Sequence, residues 1–386
     1  MKKRGTRTRA SLNPYFAMHT PDTQQTWDAY CTKELRAIAP VLKTLGYTLD
    51  DEQPHTVGER YLMQAVTTTS GRKLILLARR KSDGQRVVIK TTGDLAGMRE
   101  LTHERECRHV LAQINFAYQI FHSPEERFFG TRNGRLISIQ RFIDQESSFL
   151  ARPLKEQFVL ALEAFKAQEG AHATTYAHER LIRNSFGTMD STRYLLAFAR
   201  FKENIMRELP NGTVPHSLLD EASRQLGEGR DTIEQYCSFL THTDFVPHNI
   251  RVKNGKIYLL DHSSLRFGNK YEGWARFVNF MTLYNPPLAD ALTEYVRLNR
   301  TPEESLSLKL MRVYRLGEII WYYTDTLKKC SGNLCLLNEE RVRFWTQVLK
   351  AVLHDEKIPP QILDRYRRTR DILRSEDEKL RQRELH

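Results

Sequence analysis

Five short runs rich in apolar and β-branched residues, at 61–66, 73–80, 85–91, 126–130 and 136–143, all fall in the first 145 residues of a 386-residue chain. Turn-forming sequences separate them: Thr67-Thr68-Thr69-Ser70-Gly71-Arg72, Lys81-Ser82-Asp83-Gly84 and Thr131-Arg132-Asn133-Gly134. This spacing predicts antiparallel strands, and the Asn133-Gly134 pair predicts a tight hairpin between the last two. Helical spacing surrounds them. Trp27, Tyr30, Leu35, Ile38, Val41, Leu42 and Leu45 recur on one face before Gly46, and residues 95–118 form a second helical stretch between strands three and four. Beyond Pro153 the chain reads as helix to about 240, with a polar loop around 210–215, and as helix again from 274 to 366. A small hairpin, 250–252 and 257–260 around Asn254-Gly255, interrupts it. The expected fold is α+β with two lobes: a five-stranded antiparallel N-lobe with one long helix, then a mainly helical C-lobe. The expected boundaries are a basic flexible tail at 1–20, an N-lobe at 21–145 and a C-lobe at 146–386.

Composition narrows the functional classes. Ten per cent aromatic residues supply enough bulk for a core and exclude wholesale disorder. No run approaches the roughly 18 apolar residues of a membrane helix, and residues 1–11 are basic without an apolar signal core. Five cysteines without a CxxC pair argue against a disulfide framework or a zinc knuckle. The expectation is a cytoplasmic protein with reduced thiols. Lysine and arginine total 59 against 47 acids, a net charge of +12. Such a surplus favours anionic partners, including nucleotides, phosphorylated metabolites and nucleic acid, or serves as a solvated basic surface.

The sharpest local signal is His242-Thr243-Asp244-Phe245-Val246-Pro247-His248-Asn249, followed across the Asn254-Gly255 hairpin by Asp261. Asn249 leads into the first strand of that hairpin and Asp261 ends the second, so Asp244, Asn249 and Asp261 meet at one end of a small ribbon. Two carboxylates and an amide oxygen are hard ligands of the kind that suits Mg2+, which takes its remaining ligands from water and phosphate. The bland alternative is a polar turn with solvated side chains. A second signal is Val87-Val88-Ile89-Lys90, an apolar strand ending in a lysine. Its ammonium can reach a phosphate or simply extend to water. The turn one hairpin upstream, with Ser70 and Gly71, offers hydroxyls and backbone N–H groups to a polyphosphate.

Together these residues resemble the protein-kinase-like fold, most closely its aminoglycoside-phosphotransferase and choline-kinase branch. Val87–Lys90 is similar to the V-A-I-K strand and His242–Asn249 to the H-R-D-x-x-x-x-N loop. The resemblance covers residues 60–280. It implies an ATP- and Mg2+-dependent transfer of the γ-phosphate to a hydroxyl of a small molecule. Asp244 would orient that hydroxyl and accept its proton, while Asn249 and Asp261 would hold the metal. Lys90, paired with Glu104 or its close competitor Glu106 (Glu100 also qualifies), would bind the α- and β-phosphates. Ser70 and Gly71 would cover the phosphates, and the backbone near Gln140 and Phe142 would bind adenine. His242 would support the loop, and His248 would face either the phosphates or the substrate. The segment from Glu272 to Phe277 would clamp the catalytic loop in a structural role. Three departures stand out: a glycine-rich loop reduced to Gly71, His262-Ser263 where Phe-Gly is usual, and no A-P-E after Asp261. The alternatives are a protein kinase, or a catalytically silent module binding a partner or nucleic acid. Substrate pockets in this branch form from the variable helices, here 155–240 and 285–353. Net charge favours a neutral or anionic acceptor, unless Glu163, Glu169 and Asp190 make the pocket acidic. Neither the acceptor nor the oligomeric state is written in the sequence.

Overall fold

The computed structural model describes residues 23–51, 53, 71–113, 121–145, 147–170, 176–209, 212–376 and 378–379. Helix α1 (Thr23–Thr44) ends at Gly46, whose φ of 83° turns the chain into strand β1 (Tyr47–Leu49). Strands β2 (Leu74–Arg80) and β3 (Arg86–Thr92) follow, then the long helix α2 (Leu95–Gln113), β4 (Phe121–His122), β5 (Glu126–Arg132) and β6 (Arg135–Arg141). The antiparallel sheet has the order β1-β2-β3-β6-β5. Asn133 and Gly134 both have positive φ and join Arg132 to Arg135 in a two-residue turn, as their sequence predicts. Apolar residues on one side of the sheet, among them Leu74, Leu76, Val87, Ile89, Ile137 and Ile139, pack against Ile38, Val41 and Leu42 of α1.

The predicted strand at 61–66 and the tail at 1–20 lie outside the described residues. The fifth strand of the observed sheet is β1. Three residues are too few for an alternating pattern to register in the sequence.

The second lobe contains helices α3 (Leu154–Gly170), α4 (Tyr176–Ser185), α5 (Ser191–Glu208), α6 (His216–Glu228) and α7 (Arg230–Gln235), then four short strands. These are β7 (Phe239–His242), β8 (Ile250–Lys253), β9 (Lys256–Leu259) and β10 (Leu265–Gly268). Helices α8 (Glu272–Tyr284), α9 (Pro286–Asn299), α10 (Pro302–Leu327), α11 (Gly332–Leu353) and α12 (Pro360–Leu373) complete it. The hairpin β8–β9 forms where Asn254-Gly255 predicts it, and β4 joins it by parallel pairing with β9, tying the first lobe to the second. Strands β7 and β10 pair antiparallel, His242 opposite Leu265. Among the described residues no helix is long and apolar enough to cross a membrane.

Helix α8 runs through the middle of this lobe, and only Arg276 and Tyr284 of its residues keep solvent access. Trp274 stacks on Phe165 of α3 at 3.9 Å, and Phe277 meets Phe165 edge-on at 5.6 Å. Glu272 at its start is fully buried. Its Oε2 accepts bonds from the Tyr194 hydroxyl at 2.7 Å and Arg266 Nε at 3.0 Å, and Arg315 Nη1 lies 3.4 Å from Oε1. Burial alone would raise its pKa, but Arg266 and Arg315 outweigh that and hold the carboxyl below its ordinary value. The sign follows from linkage: this contribution to stability is complete above the unfolded carboxyl pKa and is lost as pH falls through the lower folded one. Glu272→Ala leaves the largely enclosed Arg266 guanidinium without its carboxylate and Arg315 with Glu318 alone, and is expected to cost about 3–5 kcal/mol. Urea unfolding at neutral pH measures this, and a loss under 1 kcal/mol would refute the network's importance.

Candidate active site

The loop from His242 to Asn249 is anchored at both ends and in the middle. Thr243 N–H donates to Ser264 O at 2.8 Å, joining the loop after β7 to the one before β10. His242, fully buried, places Nε2 at 3.1 Å from both Leu260 O and Asp261 O, so this nitrogen carries the hydrogen and donates. Phe245 and Val246 are fully buried and fix the middle of the loop in the core. Leu260 N–H donates to Asn249 O at 2.8 Å. These bonds bring Asp244, Asn249 and Asp261 to the same end of the ribbon, and they give His242 the supporting position expected of it.

The Asp244 carboxylate sits between two donors. Arg276 Nε and Nη2 reach Oδ1 at 3.0 and 2.8 Å, and Asn249 Nδ2 reaches Oδ2 at 3.0 Å. The same Nδ2 donates to the Asp244 carbonyl at 2.8 Å, which leaves the Asn249 Oδ1 as an acceptor turned away from Asp244. The Asp244 side chain remains 40% exposed. Its enclosure by protein would raise the pKa; Arg276, with help from His248, His242 and Arg315, reverses this and holds the carboxyl well below the usual range. Asp244 is therefore ionised throughout the physiological range. As a weak base it suits orienting a hydroxyl and taking its proton late.

Asp261 has φ 55° and ψ 59°, the left-handed conformation that a residue other than glycine adopts at a cost. The surroundings hold it there. Ser263 Oγ donates to Oδ1 at 2.6 Å and Ser264 Oγ to Oδ2 at 3.2 Å. Burial works against ionisation of Asp261, while Lys90, Ser263, His242 and Lys73 favour it and lower the pKa overall. His262 occupies the place of the usual Phe, fully buried, with Nε2 2.8 Å from Ser123 Oγ. Burial first, then Arg108 and His242, push its pKa down to about 3, so it packs as a neutral ring.

These groups fit a hard cation of one kind. Asp261 and the Asn249 Oδ1 supply two sorts of oxygen, and among the described residues no cluster of three or more His, Cys, Asp or Glu forms a metal cage. This set suits Mg2+ held jointly with phosphate and water oxygens, not a cation enclosed by protein.

Lys90 points its Nζ at both carboxylate oxygens of Glu104, at 2.5 and 2.7 Å, and Glu104 is buried. Glu106 is exposed, and Glu100 is engaged by Lys73 and by Gly71 N–H at 2.8 Å. Gly71 departs from its expected role. Its N–H is already committed to Glu100, and a Cβ there would lie 1.8 Å from Gly97 N. The residue permits the chain before β2 to touch the first turn of α2. Ser70 lies outside the described residues. Of the backbone groups expected to bind adenine, Phe142 N–H is already committed to Arg86 O at 3.1 Å, and the Phe142 ring carries the Arg86 guanidinium at 4.4 Å. Gln140 is buried, with its amide 3.5 Å from Ser138 Oγ. The side chains sequence reasoning missed are Arg276, Ser263 and Ser264. The position of Arg276, one turn after the buried Glu272, was the available signal.

No protein-family model matches the chain, and no curated protein matches it in sequence. Solved structures do. Aminoglycoside phosphotransferase APH(4)-Ia aligns at a TM-score of 0.52 and 15% identity, covering 77% of this chain and 97% of its own. Aminoglycoside 2'-phosphotransferase-IIIa aligns at 0.52 and 11%, covering 82% and 98%. Macrolide 2'-phosphotransferase type I aligns at 0.52 and 14%, covering 81% and 97%. The chain has the protein-kinase-like fold of the aminoglycoside phosphotransferases. Identity this low carries the fold and not the chemistry.

Gly71→Ala tests the packing role. The added methyl is expected to destabilise the protein by about 1–3 kcal/mol through overpacking. An unchanged urea midpoint would show that Gly71 and α2 are not in such close contact.

Proposed function

We propose that this chain is an ATP- and Mg2+-dependent phosphotransferase acting on a hydroxyl of a small molecule. The observation that carries the reading is the Asp244 carboxylate, ionised and held by Arg276 and Asn249, at the same end of the ribbon as Asp261, whose charge Lys90 favours. In the proposed reaction the acceptor oxygen bonds to the γ-phosphorus and the bridging β–γ P–O bond breaks. ADP leaves with that electron pair, and the hydroxyl proton passes to Asp244. Such a transfer needs positioning and charge neutralisation more than covalent help. Lys90, fixed by Glu104, would bind the α- and β-phosphates. Asp261 and Asn249 would hold Mg2+, which supplies charge neutralisation on the phosphates when bound. Similar structures include complexes with ADP and hygromycin B and with GDP, which supports a nucleotide as donor. A supply of ATP favours the cytoplasm.

A protein acceptor is less well supported. After Asp261 the chain makes a short 3-10 turn, pairs β10 with β7 and enters α8 at Glu272. That leaves no long segment for docking a polypeptide. A silent binding module would not require the charge arrangement around Asp244 and Lys90.

Asp244→Asn is expected to keep MgATP binding and reduce turnover at least about a hundredfold. Asp261→Ala is expected to abolish the Mg2+-dependent part of ATP binding. Calorimetry with and without Mg2+, beside labelled-ATP transfer to a pool of hydroxylated metabolites, reads both. Parent-like behaviour of both variants would overturn the assignment, and label passing only into proteins would favour a protein kinase.

A further inference from the structure

Two of the five cysteines meet where α10 turns into α11. Cys330 lies in the connecting turn and Cys335 in the first turn of α11. Both sulfurs rest against one carbonyl oxygen: Cys330 Sγ is 3.9 Å and Cys335 Sγ 3.5 Å from Leu327 O. The two thiols also hydrogen-bond to each other. Cys330 is held from a second side. Asn338, fully buried, directs Nδ2 to Cys330 Sγ at 3.7 Å and to Thr326 Oγ1 at 3.1 Å, while Arg341 Nη1 donates to Asn338 Oδ1 at 2.7 Å.

The pair is chemically asymmetric. Cys330 is buried, whereas Cys335 keeps partial access to solvent. The Cys330 S–H donates to Cys335 and favours its thiolate, so the Cys335 pKa is lowered although burial and Glu339 oppose this. Its place at the positive end of a 22-residue helix acts in the same direction. Cys330, as the donor, keeps its proton. The remaining cysteines differ. Cys31, Cys107 and Cys237 are buried, and burial pushes the thiols of Cys107 and Cys237 up to about 12. An accessible thiolate in contact with a protonated thiol is the arrangement of an attacking and a resolving cysteine.

We propose that Cys330 and Cys335 form a dithiol that hydrogen peroxide closes to an intramolecular disulfide. The Cys335 thiolate attacks one peroxide oxygen and the O–O bond breaks. Cys335 becomes a sulfenic acid, and the other oxygen leaves as hydroxide, taking up the proton that the thiolate had released. The Cys330 sulfur then attacks the Cys335 sulfur. The S–S bond forms, the S–O bond breaks, and the Cys330 proton leaves with that oxygen as water. The two thiols give up two electrons, which reduce one peroxide to two waters. A thiol reductant reverses the closure. Both cysteines are free in the resting protein, and the inference is independent of the phosphotransferase reading.

Peptide mass mapping of the full-length protein after hydrogen peroxide tests this. Lys329 and Arg341 bracket both cysteines with no basic residue between, so trypsin releases the pair on one peptide, 330–341. After alkylation without reductant that peptide is expected to be two hydrogens lighter and unalkylated, and to take two alkyl groups once reduced. Cys31, Cys107 and Cys237 are expected to alkylate on unfolding as they do without peroxide. Cys330→Ser should stop at the Cys335 sulfenic acid, which dimedone traps, and Cys335→Ser should leave Cys330 a thiol with no dimedone adduct. The folded parent should close the disulfide several times faster than the parent unfolded in urea, a comparison that needs no variant to fold. Equal rates would mean that closeness in sequence, not the fold, makes the bond, and would overturn the proposal. So would a sulfinic acid at Cys335 of the parent, a disulfide linking two chains, or two free thiols surviving peroxide that oxidises glutathione in the same tube.

Discussion

Two short strands set the distance between the chemically important loops. Strand β7 delivers the chain to Asp244, β10 receives it after Asp261, and their pairing places His242 opposite Leu265. The bonds from Thr243 to Ser264 and from the His242 ring to Leu260 and Asp261 then lock the two turns together. Each would be a flexible polar loop alone. Tied to one another and rooted by Phe245 and Val246, they hold carboxylates in a fixed relation before any ligand arrives, which is the preorganisation that electrostatic catalysis requires.

Beneath them lies α8, whose burial has a chemical consequence. A helix buried on nearly every side cannot shift without disturbing Trp274, Phe277 and the Glu272 network. Arg276 projects from this rigid body onto Asp244, so the charge that keeps the carboxylate ionised comes from the best-anchored element of the lobe. Packing and acidity are coupled here through one side chain.

Much of this was legible in the sequence, for identifiable reasons. Asn-Gly pairs marked both hairpins because few other dipeptides tolerate two positive φ angles. Lys90 was legible because a lysine within an otherwise apolar strand is unusual, although β3 runs two residues past it to Thr92, and Glu104 because helical spacing left few candidates to pair with it. The illegible parts follow equally from physics. Strands β1, β7 and β10 have three or four residues, and their partners, not their own patterns, make them strands. The turn residue Gly71 looked like a phosphate contact because sequence does not reveal which N–H groups are already taken. Arg276 stood among residues read as scaffold, and only the fold shows its guanidinium against Asp244.

The stretch between Asp261 and Glu272 has a bearing on control. Its residues are pinned in turn by Asp261, by β7, and by Asn269, whose amide donates to Ile233 O and Ser307 Oγ. A segment with so little slack has no room to swing between an ordered and a disordered form, the transition by which many signalling enzymes are switched. At this place in the chain the machinery is set permanently to one position.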